Sequence, residues 1–518
     1  MRTRLQRAQG LLRAVAVLAA STGAAMAQDG DAPLSAIPWL SESLARPPTA
    51  PAAPDRVGLT PVPRPDPIEV APLPAPDPDA TGLRPARGGA LWAESDAQEL
   101  AAALRAMPDQ SLPAAQDLYT ALLLAESTPP RAEPGQSSGF LRARVDALLR
   151  LGALEPALAL IERAGPERPE LFRRWFDVSL LTGYEKRACA TMAATPSLAP
   201  TAAARVFCLA REGRWETAVV TLEATAALGT LSDEDANLMA RFLDPELFEG
   251  DPPMPRPDPV TPLLFRVHEA LGEPIPTRNL PLAFAHADLR HVIGWKARIE
   301  AAERLTRVGA VPADRLLAIY STRRPSASGG VWDRVARMQA LDIALNSGRP
   351  SAVARALEPA RAVMAEAGLE PVLAHMVAPR LARLPLEGAA ARTALRLRLL
   401  SNRPLALEPT PLPADLPPDL AFAAALAAGE AARAVPPGPR AAAIRAAFTD
   451  GSPDPGDAAL LEEDRTGEAL LRALKRLAPG GEADPGEVAR AIALLRAAGR
   501  EEIAMHAALQ YLLSGPSQ

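Results

Sequence analysis

The chain of 518 residues carries 61 acidic against 56 basic side chains, a formal net charge of −5, and it is 48% hydrophobic but only 4% aromatic. An acidic chain without a dense basic run is a poor ligand for phosphate backbones, so nucleic acid is excluded as an expected partner. Only Lys186, Lys296 and Lys475 are lysines; every other basic residue is Arg, a bias associated with GC-rich coding.

Residues 1–27 hold Arg2, Arg4, Arg7 and Arg13, then an apolar run from Ala14 to Ala20, then the small-residue triplet Ala25, Met26 and Ala27. This order reads as a secretory signal peptide cleaved before Gln28, with a periplasmic product and no membrane span left after cleavage. The other reading is a retained anchor, but the apolar run falls short of the ~20 residues a span needs. Removing the four Arg takes the formal net charge from −5 to −9. No Cys stands at the cleavage site to carry a lipid.

Residues 28–90 hold 15 prolines and few branched apolar residues, a composition that cannot bury a core. A disordered Pro-rich tail is expected, with 61–79 favouring polyproline II and a full reach on the order of 190 Å, or ~45 Å as a coil. Ile37, Trp39 and Leu40 form its one apolar cluster before that run. They read either as a docking motif for a partner's groove or as a segment folding back on the chain's own helices.

Helical patterns begin at 95–107 and 113–126. From 141 to 222 one pattern occurs three times: a Leu-rich helix ends at a Gly, and an Ala follows five residues later, giving Gly152/Ala157, Gly183/Ala188 and Gly213/Ala218. In the first copy Leu141, Val145, Leu148 and Leu149 make one apolar face, and Leu154, Ala157, Leu158 and Ile161 resume it after the Gly. The third copy offers Trp215, Ala218, Val219 and Leu222 at the later slots; the middle one is looser, with Glu185, Ala188, Cys189 and Met192. A fourth candidate has Leu494 and Leu495 before Gly499, then Ala504, Met505 and Ala508. A period near 30 residues signals stacked helical hairpins. On these Gly and Ala positions the stretch resembles the tetratricopeptide-like α-solenoids, which implies helix pairs stacked into a superhelix that binds protein partners along one face.

The expected organisation is a signal peptide at 1–27, the tail at 28–90, a helical-repeat block at 91–246, a Pro-rich linker at 247–260, a second helical block at 261–402, a second linker at 403–418 and an Ala-rich helical block at 419–518. Further helices are predicted at 233–242, 295–306, 332–346 and 352–367. No alternating strand series occurs, so the fold class is all-α, an α-solenoid of helical hairpins preceded by the disordered tail.

An even cysteine count in an exported protein favours a disulfide. Cys189 lies in the second helix of one repeat and Cys208 in the first helix of the next, which places them on adjacent antiparallel helices, although an offset of ~6 Å along the axes stands against this. The alternative is two buried thiols.

Catalytic signals are sparse. His286, Asp288 and His291 lack the i, i+4 spacing that puts two rings on one helical face, so no metal site is expected. Glu300 with Lys296 reads as a solvated ion pair. The loop Ser326, Ala327, Ser328, Gly329 and Gly330 lacks the Lys and Ser/Thr of a phosphate loop and reads as a helix cap. No catalytic residue and no cofactor are expected. Two functions remain: a non-catalytic periplasmic scaffold for protein partners in the envelope, or a component of a peptidoglycan-processing system. The second follows from a resemblance to the helical arms of soluble lytic transglycosylases, whose Gly-Leu-Met-Gln motif is missing here. As a whole the chain also resembles exported α-proteobacterial proteins, some described as antifreeze polypeptides. Ice binding asks for a flat, repetitive Thr or Ala face, which Arg-dotted helices do not supply.

Overall fold

The computed structural model describes residues 77–86, 90–108, 112–133, 139–401, 412–413 and 415–514. The expected signal peptide, the cluster Ile37, Trp39 and Leu40, and most of the Pro-rich tail lie outside them. The described residues fall in one compact unit, 74–518.

The protein is mostly α. Among the described residues eight helices begin on a proline, at Pro113, Pro169, Pro262, Pro350, Pro418, Pro439, Pro455 and Pro485. The first helical position needs no backbone donor and suits the fixed φ of proline, which is how a Pro-rich chain becomes a helical one.

In chain order the first helices are α1 (Ala97–Arg105), α2 (Pro113–Leu123), α3 (Gly139–Arg150), α4 (Leu154–Ala164), α5 (Pro169–Thr182), α6 (Glu185–Ala194), α7 (Ala202–Arg211), α8 (Trp215–Ala227) and α9 (Asp233–Leu243). From α3 to α9 each helix packs on the next. The Gly turns share one geometry. Gly152, Gly183 and Gly213 stand at φ +71°, +81° and +78°. In each turn the residue after the Gly donates to the carbonyl five positions back, Ala153 to Leu148, Tyr184 to Ser179 and Arg214 to Leu209, all at 2.9 Å. That bond closes a helix whose next residue is left-handed, a conformation Gly adopts without the clash of a Cβ. Ala157, Ala188 and Ala218 are fully buried where the paired helices meet.

The second stretch runs through α10 (Pro262–Ala270), α11 (Ala285–Asp288), α12 (Trp295–Arg307), α13 (Ala313–Tyr320), α14 (Val331–Ser347), α15 (Pro350–Glu366), α16 (Glu370–Leu381) and α17 (Gly388–Leu400). The last runs through α18 (Pro418–Ala427), α19 (Pro439–Thr449), α20 (Pro455–Glu462), α21 (Thr466–Leu477), α22 (Pro485–Ala497) and α23 (Glu501–Leu513). The turn from α22 to α23 repeats the earlier geometry, with Gly499 at φ +69°, Arg500 donating to Leu495 at 2.8 Å, and Ala504 fully buried.

After α9 most consecutive helices still pack on each other, and contacts between distant parts of the chain are added to them. The α10 and α11 helices lie on α5, and α23 packs on α2, α17 and α18, while α21 contacts α1 and α2. The end of the chain therefore completes the core of its beginning. Trp92 packs edge-on against Phe140 and lies over Gly467, where an added Cβ would come within 2.3 Å of the ring. Gly467 also donates to the Leu91 carbonyl at 2.9 Å.

Residues 77–86 differ from the expectation that everything up to 90 stays outside a core. Arg84–Pro85 pairs in parallel with Ala125–Glu126, a two-residue ladder that departs from the all-α class. The reason is Arg144, a buried guanidinium that donates to the carbonyls of Leu123, Ala125 and Thr81, each at 2.8 Å. Asp79, also buried, accepts from the Leu141 amide at 2.6 Å. Burial lowers the Arg144 pKa to about 10, with Asp79 acting in the opposite direction, so the group stays charged at neutral pH. A buried charge is tolerated when dipoles surround it, and here the dipoles come from two segments that both precede α3 in the chain.

Candidate functional site

Cys189 and Cys208 are joined, with Cα atoms 5.0 Å apart. The offset expected from a tight turn is removed by the connector: α6 ends at Ala194, a short 3-10 turn Pro196–Leu198 follows, and α7 starts at Ala202. Five residues then separate Cys189 from its helix end and six separate Cys208 from its helix start, which levels the two sulfurs. The bridge closes a 19-residue separation and locks the second hairpin to the third.

The locked hairpins present one edge, the row of Gly turns, and its three members differ. Chain from the second stretch covers the first turn. A Cβ at Gly152 would meet Leu305 at 3.0 Å and Leu282 at 3.1 Å, and the His286 ring places Nε2 2.6 Å from the Gly152 carbonyl oxygen. Burial lowers the His286 pKa, so the ring is neutral and its Nε2–H donates. Two residues past that turn, Leu154 belongs to a small apolar core with Phe265 of α10 and Phe284, and Leu158 packs against it. At Gly183 and Gly213 an added Cβ would meet nothing within 4 Å.

The position two past the Gly is Leu154 in the first hairpin, Glu185 in the second and Trp215 in the third. Glu185 is buried and accepts from Arg211 at 3.0 Å. Trp215 has no such cover and is 48% exposed. The position six past the Gly shows the same contrast, since Leu158 is packed whereas Val219 is exposed. The sequence reading put Trp215 and Val219 on the buried face with Ala218 and Leu222; the structure buries only the latter pair. Periodicity identifies the side of α8 that faces its hairpin partner, and it does not reveal whether a further element lies across the shoulder. Tyr184, next to the second turn, is 72% exposed. Lys186, Arg187, Arg211 and Arg214 alternate with Glu212 and Glu216 around these rings, all exposed, and Arg187 pairs with Glu162 at 2.7 Å.

The other residues weighed for chemistry have structural partners. Asp288 accepts a hydrogen bond from the Thr277 hydroxyl. His291 is exposed, and no cluster of metal-ligating side chains is found among the described residues. Gly330, at φ +54°, stands at the N-cap of α14. Lys296 approaches Glu300 at 3.7 Å on an exposed face. Glu303, one turn further, is buried, accepting from the Tyr320 hydroxyl at 2.8 Å and from both Nε and Nη2 of Arg334 at 2.8 and 2.6 Å. That cluster ties α12, α13 and α14 together. Burial and the adjacent Glu303 carboxylate raise the Tyr320 pKa well above its ordinary range.

No family model matches this chain, and neither a curated protein nor a solved structure matches it. No helix among the described residues is long and apolar enough to cross a membrane.

Proposed function

We propose that the chain is a non-catalytic helical-repeat scaffold of the bacterial envelope, with α3 to α8 acting as a short tetratricopeptide-like solenoid that takes a protein partner on the shoulder of α8. One observation carries the reading. In the first hairpin, Leu154 and Leu158 are covered by a segment bearing Phe265 and Phe284, whereas Trp215 and Val219 hold the same register positions in the third and are exposed. The protein thus exhibits on itself the kind of contact that the third hairpin leaves unmade. The matching partner is a protein segment that presents aromatic or branched apolar side chains, and a half-exposed Trp within a rim of mixed charge has the composition of an energetic anchor. The disulfide supports placement in an oxidising compartment such as the periplasm.

Cross-linking in intact cells followed by pull-down tests this reading with three chains: the native one, Trp215→Ser with Val219→Ser, and one lacking residues 29–76. The deletion stops at 76 because Asp79 and the strand at Arg84–Pro85 belong to the folded body. The expected outcome is a specific partner lost from the double variant and kept by the deletion. Unchanged capture by the double variant overturns the assignment to α8, and loss in the deletion alone moves the site to the Pro-rich segment with Trp39. Release of muropeptides from peptidoglycan by the purified chain would overturn the non-catalytic reading.

A further inference from the structure

The first and third hairpins match at two further positions. Three and ten residues past the turn Gly, the first hairpin has Glu155 and Glu162, and the third has Glu216 and Glu223. In the first hairpin both carboxylates are met by arginines from other helices: Arg315 of α13 approaches Glu155 at 3.3 Å, and Arg187 of α6 approaches Glu162 at 2.7 Å. Glu216 and Glu223 are exposed, and neither has an ion-pair partner among the described residues. They stand two turns apart on α8, about 10 Å along its axis and nearly on one line. The helical repeat sets Trp215 and Val219 along one flank of that line and Val220 along the other, all three exposed. No basic residue occurs from Trp215 to Ala240, whereas Glu216, Glu223, Asp233, Glu234 and Asp235 are acidic.

An edge that is apolar and acidic at once selects what can cover it. A phosphate backbone or an anionic lipid surface is repelled. A second copy laid with its α8 on this one would set carboxylate against carboxylate. The covered hairpin supplies the pattern for the open one. Around α4 the covering groups sit on helices, Phe265 on α10, Arg315 on α13 and Arg187 on α6. Cations that meet Glu216 and Glu223 must themselves stand two turns apart, which one helix provides when it lies alongside another. We infer that the partner on the shoulder of α8 is a basic amphipathic helix, with Arg or Lys two turns apart facing Glu216 and Glu223 and an apolar ridge lying on Trp215 and Val219. This rests on the scaffold reading above and adds the partner's charge and shape to it. Exposed ion pairs contribute little affinity, so the apolar ridge holds the helix and the carboxylates choose which helix is held.

The probes are labelled amphipathic peptides of about 20 residues, long enough to be helical, with Phe and Leu on one face. One carries Arg at two positions two turns apart beside that face, one carries Glu at the same two positions, and one carries the two Arg on the opposite face. Each is titrated by fluorescence anisotropy against the full chain, against Glu216→Lys with Glu223→Lys, and against Trp215→Ser with Val219→Ser. The native chain is expected to prefer the first peptide over the second by about tenfold at low salt, with the preference shrinking at about 0.5 M salt. The Lys variant, its helical spectrum retained, should reverse the order, and the Ser variant should lose all three peptides. The inference is overturned if no peptide binds, if the native chain takes the first two equally, if the order survives in the Lys variant, or if the opposite-face peptide binds as well as the first. The shoulder itself is judged separately. Equal peptide binding that the Ser variant abolishes keeps α8 as the docking site, and binding indifferent to the Ser variant removes the site together with its proposed partner.

Discussion

Gln510 caps Ala114 across 396 residues: its Oε1 accepts the Ala114 amide at 2.9 Å, while its Nε2 donates to the Leu400 carbonyl at 3.3 Å. One amide on the last described helix thereby holds the N-terminus of α2 and the C-terminus of α17. Pro113 before Ala114 has no N–H, so Ala114 carries the first donor of that helix. Gln510→Leu leaves both backbone groups buried and unpaired, and it should lower stability by about 2–3 kcal/mol in chemical denaturation.

Arg144 gathers three carbonyls from two segments, Thr81 and the stretch 123–125, so its removal should act beyond its own helix. Arg144→Met is expected to cost about 3–5 kcal/mol, because apolar replacement strands the dipoles that surrounded the charge. Lys lacks the planar fork and should recover only part of the loss. Limited proteolysis is the direct measurement, with cleavage between residues 77 and 90 appearing in the variants at protease levels that leave the native chain intact.

Peptide mass spectrometry without reduction should recover Cys189 joined to Cys208. Replacing both with Ala should lower stability by ~3 kcal/mol, the chain-entropy value for a loop of this size. Both sulfurs are buried, so the loss should reproduce in reducing buffer only after the native chain has been unfolded and refolded.

A half-buried carboxyl and a buried imidazole give the stability pH dependences of opposite sign. Burial raises the Asp177 pKa to about 6, against the pull of Arg173 and Arg174. Its unfolded value lies near 4, so between roughly pH 4 and 6 the native state holds a proton that the unfolded chain has released, and stability falls as pH rises through that window. Asp177→Asn should therefore stabilise at pH 7 by about 1–2 kcal/mol, allowing for solvent at a partly exposed group, and the gain should vanish near pH 4. His286 runs the other way. Its pKa is lowered by burial, so the unfolded chain binds the proton first, and stability is lost as pH drops below about 6.5. His286→Gln, which can still donate toward Gly152, should flatten that acid limb in a series of urea titrations.

The hairpins were readable in the residues because each depends on local chemistry. A Gly that must be left-handed and an Ala where two helices touch leave marks in the chain itself, and predicted helix ends at 113, 233 and 295 coincide with those observed. Closure of the fold was not readable. Gln510 lies on a helix of Ala and Leu, and nothing in its neighbours tells that it reaches α2. Arg144 was closer to legible, since it falls at i+3 from Leu141 and i−4 from Leu148, on the apolar stripe where a charge has no business unless it is buried and bonded. Trp215 shows the reverse failure, because its apolar periodicity implies a cover that no segment among the described residues supplies.

The meeting of α2 with α23 also sets a schedule. Made N-terminus first at ~5–20 residues per second, the chain completes α2 roughly 20–80 s before Gln510 exists. For that interval the surface of α2 on which α21 and α23 pack stands open. The hairpins from α3 onward can form as they emerge, but the beginning of this protein must be kept from wrong company until its end arrives.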